Sequence, residues 1–215
     1  MSPEELPSRV VSPPAESCFL CSPAPELIYA QSANFVALLG VGPIREGYSL
    51  IATNEHVPSM LDLPGLLRKE LADFSCHVRD RLEPHYGPSL VTEHGRVPPC
   101  LSAHAKRHEP HCLHAHRLVF PGADAVDLSV LQRLRAKTYA SFDQAAASFR
   151  DPGQYLYAER PDGSCQVASI FGPFPRQFFR RLVAAAEEKP ELSDWKQHPG
   201  LPVIAAARAR LNQAA

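Results

Sequence analysis

Two short stretches carry residue types that do chemistry, His114-Ala115-His116 and Cys18-Phe19-Leu20-Cys21. At i, i+2 spacing a strand projects both imidazoles from one face, an arrangement suited to metal binding, phosphate contact or nucleophilic catalysis. A neutral imidazole attacks phosphorus to form a covalent phosphoramidate, which splits one difficult displacement into two easier ones. Its tautomer must be fixed by a neighbouring acceptor, often a backbone carbonyl. The same histidines belong to a His-rich stretch (His104, His108, His111, His114, His116) that also reads as a solvated loop and strand edge, or an incidental metal-binding tract.

Cys18 and Cys21 put two thiols on one tight turn, as a tetrahedral zinc ion accepts from a single loop. Two further ligands must come from elsewhere. His56 is one candidate, and His114 and Cys112 are the candidates for the fourth position. Without a metal, Cys18 and Cys21 are ordinary small hydrophobes near a chain end. Six cysteines in 215 residues are too sparse for a disulfide scaffold, which favours metal binding for the close pair in a reducing compartment.

The chain that positions these groups is 45% apolar and 21% charged, enough to bury one core. No run approaches the roughly 18 apolar residues of a membrane helix, and the acidic, proline-bearing start is unlike a signal peptide, so a cytoplasmic protein without membrane contact is expected. A net charge of -1 argues against bulk nucleic-acid binding but leaves room for a small anionic substrate.

Residues 1–16, with four prolines, read as a flexible arm. Short strands follow over 27–37, 36–41 and 48–53, then an amphipathic helix over 64–83 marked by Leu67, Leu71, Phe74 and Val78. Further strands are predicted over 89–93 and 112–120, the latter closed by Pro121-Gly122. The remainder reads as a helix over 127–148, two strands over 154–159 and 166–170 around Asp162-Gly163, and a helix over 175–188. This is an α+β chain: a unit over 17–122 and a C-terminal extension over 123–215.

The order Cys-x-x-Cys, Asn34-Phe35-Val36-Ala37-Leu38-Leu39, Gly47-Tyr48-Ser49-Leu50-Ile51, Glu55-His56-Val57 and a His-x-His strand ending in Val119-Phe120-Pro121 resembles the histidine triad superfamily over Cys18 to Gly122. The resemblance implies a five-stranded antiparallel sheet with one main helix, here with a C-terminal hairpin and helix packed over the active face, and a homodimer. It implies hydrolysis or transfer at a nucleotide phosphate through a covalent histidine intermediate, the partner being a small nucleotide or phosphorylated substrate. Anchored on the proline, the motif makes His114 the first histidine and His116 the nucleophile. The metal set is then Cys18, Cys21, His56 and His114, a structural zinc that braces the strand. A second register takes Cys112 first, His114 as nucleophile and His116 third.

Leu118 stands where the third histidine would be and has no group to donate to a phosphate oxygen. Arg117 points to the opposite face, leaving His111, Arg107 or Lys106 as replacements from the preceding loop. Gly40 replaces an aspartate that holds ribose hydroxyls in many small members. Glu93-His94-Gly95, Phe174 to Arg181 and Asp194-Trp195 resemble a subgroup with longer C-termini. Substrate contact is thereby assigned to Asn34, Glu93, His94, His111, Arg176 and Gln177, with Arg180 also in reach. Two alternatives stand beside catalysis: a zinc-stabilised nucleotide-binding protein with little turnover, and a specialised-metabolism enzyme reusing the scaffold.

Overall fold

The computed structural model describes residues 18–97 and 114–213. The expected N-terminal arm, and His111, Cys112, Arg107 and Lys106, lie outside the described residues.

The strands are β1 (Ile28–Gln31), β2 (Phe35–Leu39), β3 (Ser49–Thr53), β4 (Ser89–Gly95), β5 (His116–Pro121), β6 (Lys137–Tyr139), β7 (Tyr155–Glu159) and β8 (Cys165–Ser169). They form one antiparallel sheet in the order β1-β2-β3-β5-β4-β7-β8-β6. The sheet is antiparallel as expected, but it has eight strands, not five. The C-terminal hairpin β7–β8 continues the sheet from the edge of β4, because Val91 to Gly95 pair along Glu159 to Tyr155.

Side-chain alternation gives each face its own core. One face carries Phe35, Ala37, Leu39, Ile51, Val91, Val119, Tyr155 and Tyr157. Helix α1 (Gly65–Tyr86) covers it with Leu71, Phe74, Val78 and Leu82, spaced at helical intervals and all buried. Helix α5 (Leu201–Gln213) adds Ile204, Ala207 and Leu211 to the same core. Its alanine-rich sequence has only a narrow apolar stripe, and the expected elements did not include it. The other face carries Val36, Leu38, Leu50, Ala52, Leu90, Phe120, Leu156 and Ala158, packed against Phe179, Val183 and Ala184 of α4 (Phe178–Ala186).

The helix expected over 127–148 is instead α2 (Ser129–Arg133), β6 and α3 (Phe142–Ser148). Arg135 turns the chain with φ of 57° after α2, and Lys137 to Tyr139 pair with β8. Helix α3 restarts at Ser141, whose hydroxyl accepts from Gln144 N at 3.2 Å while Gln144 Oε1 accepts from Ala140 N at 2.7 Å. This reciprocal cap is legible in Ser141-Phe142-Asp143-Gln144. The first described residues of the reactive segment are also not strand: β5 begins at His116, and Ala115 N instead donates to Val57 O at 2.6 Å. Among the described residues no helix is long and apolar enough to cross a membrane.

Ser141→Ala removes the cap of α3 and is expected to lower the urea-unfolding free energy by about 1 kcal/mol, with Phe142 and Ala145 still buried.

Candidate functional site

The turn at Cys18, closed by Cys21 N donating to Cys18 O at 3.1 Å, lies against the end of β3 and the approach to β5. His56 follows β3 and His114 precedes β5, so the two meet because those strands are paired, with rings 4.9 Å apart. Cys21 Sγ stands 3.2 Å from His56 Nδ1 and 3.5 Å from His114 Nδ1, and Cys18 Sγ is 3.6 Å from His114 Nδ1. All four donor atoms lie within 4.8 Å of one another.

This set fits a metal. Zinc bonds of about 2.3 Å to sulphur and 2.0–2.1 Å to nitrogen, at tetrahedral angles, put sulphur and nitrogen about 3.5 Å apart. Burial lowers the pKa of His56, and pushes that of His114 down to about 4, so both rings are held neutral as ligation requires. His114 Nε2 donates to Thr53 O at 2.5 Å, fixing the tautomer that turns Nδ1 to the sulphurs. Cys18 is disulfide-bonded, so its sulphur serves as a ligand only once reduced.

His116, half-buried at the start of β5, shares a face with Leu118 and Phe120, while Arg117 and Val119 face α1. Its Nδ1 lies 2.8 Å from the carbonyl oxygen of His114. The carbonyl can only accept, so Nδ1 carries the proton and Nε2 keeps its lone pair. Burial lowers the pKa of His116 and favours this neutral form.

His94 shares the face. Thr92–Leu118 is the last pair of the β4–β5 ladder, and His94 and His116, each two residues beyond it on that face, are near enough for the charge of one to disfavour that of the other. His94 Nε2 lies 3.1 Å from Gln154 Oε1, Gln154 Nε2 donates to Gly172 O at 2.6 Å, and Phe174 meets the His94 ring edge-on at 5.8 Å. Gln154 and Gly172 were not expected at the site, and nothing local marks them; they arrive because β7 joins β4.

Glu93 requires correction. It is buried on the face opposite His94 and accepts from Met60 N at 2.9 Å and from the Tyr155 hydroxyl at 2.6 Å. Adjacent strand residues alternate faces, so Glu93 and His94 cannot both line one pocket. Below it, Arg117 is clasped between Phe142 and Tyr157, its guanidinium carbon 4.1 and 4.9 Å from the two rings, with Glu159 at 3.5 Å. Asn34 is also committed elsewhere: its backbone N–H and side-chain amide donate to the Glu70 carboxylate at 2.9 and 2.6 Å.

The C-terminal residues divide. Arg176 is exposed. The Gln177 amide accepts from the Trp195 indole N–H at 3.1 Å and donates to Ser193 O. Arg180 is buried, donating to Gly42 O at 2.7 Å and Leu192 O at 2.9 Å, with its guanidinium 5.1 Å from the Tyr48 ring centre. Gln177 and Arg180 thus hold α4 and the following turn onto the sheet. Tyr48, stacked on Phe120 at 5.0 Å, lies so close to Gly40 that any Cβ there would enter its ring. The aspartate absent at position 40 has no room.

The chain resembles solved structures of histidine triad proteins. One, a zinc-bound histidine triad family protein from Mycobacterium smegmatis, is 16% identical, over 93% of this chain and 98% of that one, at a TM-score of 0.40. A HIT family protein from Bacillus anthracis is 13% identical over 50% and 74% of the two chains, at 0.38. A hypothetical histidine triad nucleotide-binding protein from Sulfolobus tokodaii is 22% identical over 48% and 68%, at 0.35. No protein-family model and no curated protein sequence matches the chain.

Two measurements follow from this geometry. Reduced protein purified without chelator is expected to hold about one zinc per chain by elemental analysis, and Cys21→Ser or His56→Ala to lose it with a Tm fall of about 4–8 °C, corresponding to about 2 kcal/mol. Zinc near zero in the reduced wild type defeats the site. Separately, Gly40→Asp is expected to displace Tyr48 and cost about 1–3 kcal/mol in denaturant unfolding, as overpacking does.

Proposed function

We propose that this protein hydrolyses or transfers a nucleotide phosphate through a covalent intermediate on His116. The observation that supports it best is the His116 Nδ1 to His114 O hydrogen bond at 2.8 Å, which leaves Nε2 as an unprotonated nucleophile on a half-buried residue at the start of β5. The sequence resemblance assigns the same residue, and the shared face of His94 and His116 offers a polar surface for a phosphate.

Cys18, Cys21, His56 and His114 would hold zinc, which when bound locks the N-terminal turn and the approach to β5 together. His114 then takes no part in attack. It supplies the carbonyl that orients His116, and its own ring is occupied by the cluster. This favours the register with His114 first and His116 as nucleophile. In-line attack forms the bond from His116 Nε2 to phosphorus and breaks the bond to the leaving group, and water then releases the nucleotide.

Two observations favour a narrower reading, a zinc-stabilised binding protein with slow turnover or a scaffold reused for another phosphorylated substrate. Leu118, half-buried on the reactive face, contributes no donor, and Tyr48 fills the space beside Gly40.

Incubation with adenylylated and uridylylated compounds, followed by intact mass measurement, is expected to reveal a nucleotidyl adduct. His116→Ala should abolish the adduct and slow turnover at least about 10³-fold. Full turnover in His116→Ala would remove the assigned nucleophile, and its loss only in His114→Ala would restore the other register.

A further inference from the structure

We propose that His94, supplied by the neighbouring strand and held by Gln154, is the imidazole that protonates the leaving group in this site. The proposal rests on the reading of His116 as nucleophile and addresses the position Leu118 leaves without a donor.

The geometry is set by the β4–β5 ladder. The ladder's last pair is Thr92–Leu118, and His94 and His116, each two residues beyond it, project from the face that Thr92 and Leu118 share. Their rings are close enough for the charge of one to disfavour that of the other. Leu118 is two residues along β5, opposite Thr92, so an imidazole at 94 reaches the same face without sitting on the His116 strand.

His94 also has a defined tautomer. Gln154 Nε2 is committed to Gly172 O, so Oε1 is the atom that faces His94, and His94 Nε2 must be the donor. Nδ1 is then the nitrogen available to a ligand. Phe174 against the ring limits its rotation and shields it from water. In the free protein burial favours the neutral ring, and an arriving phosphate supplies the countercharge that lets Nδ1 take up a proton.

The steps balance. His116 Nε2 attacks phosphorus; the bond from phosphorus to the leaving atom breaks, and that atom takes the proton from His94 Nδ1. His94 becomes neutral with Nε2–H still on Gln154. Water then attacks the phosphoramidate, its proton passes to His94 Nδ1, and the bond from His116 Nε2 to phosphorus breaks. General acid catalysis of this kind is commonly worth about 10²–10⁴-fold.

The test varies the leaving group. Alkylamides of adenosine and uridine monophosphate need a proton to expel the amine, whereas p-nitrophenyl esters of the same nucleotides do not. With His94→Gln, kcat on the alkylamides is expected to fall about 10²-fold or more and on the p-nitrophenyl esters less than about 5-fold, while His116→Ala loses both. Equal losses on both substrates, or no loss on either, overturn the acid role of His94 and leave the His116 reading standing. If wild type turns over neither compound, the proposed reaction fails, and histidine-ring nitrogen NMR with adenosine and uridine monophosphate decides the site: a shift of His94 Nδ1 places it on the phosphate, and an unmoved signal overturns the assignment. The same spectrum reads the assignment if His94→Gln fails to fold.

Discussion

The structure turns on one residue used twice. The side chain of His114 faces the cysteine pair through Nδ1, with Nε2 on the Thr53 carbonyl, while its own backbone carbonyl accepts from His116 Nδ1. The geometry of the Cys/His cluster and the tautomer of His116 are therefore one constraint. A shift of His114 that loosens the cluster also releases the proton on His116. Ala115 N, bonded to Val57 O, pins the segment between them.

That constraint needs a rigid sheet beneath it, and the reverse face provides one by an expensive route. Arg117, Glu93 and Glu159 are buried there, flanked by Tyr155, Tyr157 and Arg79. Buried charges cost several kcal/mol unless paired and hydrogen-bonded, so such a network tolerates few arrangements. Because Glu93 and Arg117 are the immediate neighbours of His94 and His116, fixing the first pair on one face fixes the second pair on the other.

Features that depend on local pattern were legible in the sequence. The first five strands, α1 and the Cys18, Cys21, His56 and His114 grouping follow from alternation, helical spacing and motif order. The Glu93 assignment failed because motif resemblance was followed where the period of two already separated Glu93 from His94. The broken 127–148 segment failed for a different reason: apolar residues near helical spacing hid a capping sequence, and pairing with β8 outweighed helix propensity. Gln154, Gly172 and Tyr48 reach the site through long-range pairing or packing, which no local signal encodes.

The last of these changes how the C-terminal third should be understood. Had it packed as a separate lid, the first five strands would carry the whole site. Instead β7 occupies the edge of β4 along its length, and from that position Gln154 orients His94 while Phe174 covers it. On the same face Arg180 ties α4 to Gly42 and stacks over Tyr48, which fills the space beside Gly40. One segment thus packs against Tyr48 beside Gly40 and sets Gln154 against His94. The space beside Gly40 is thereby taken by Tyr48, and the face next to His94 is bordered by Phe174 packed against Phe178.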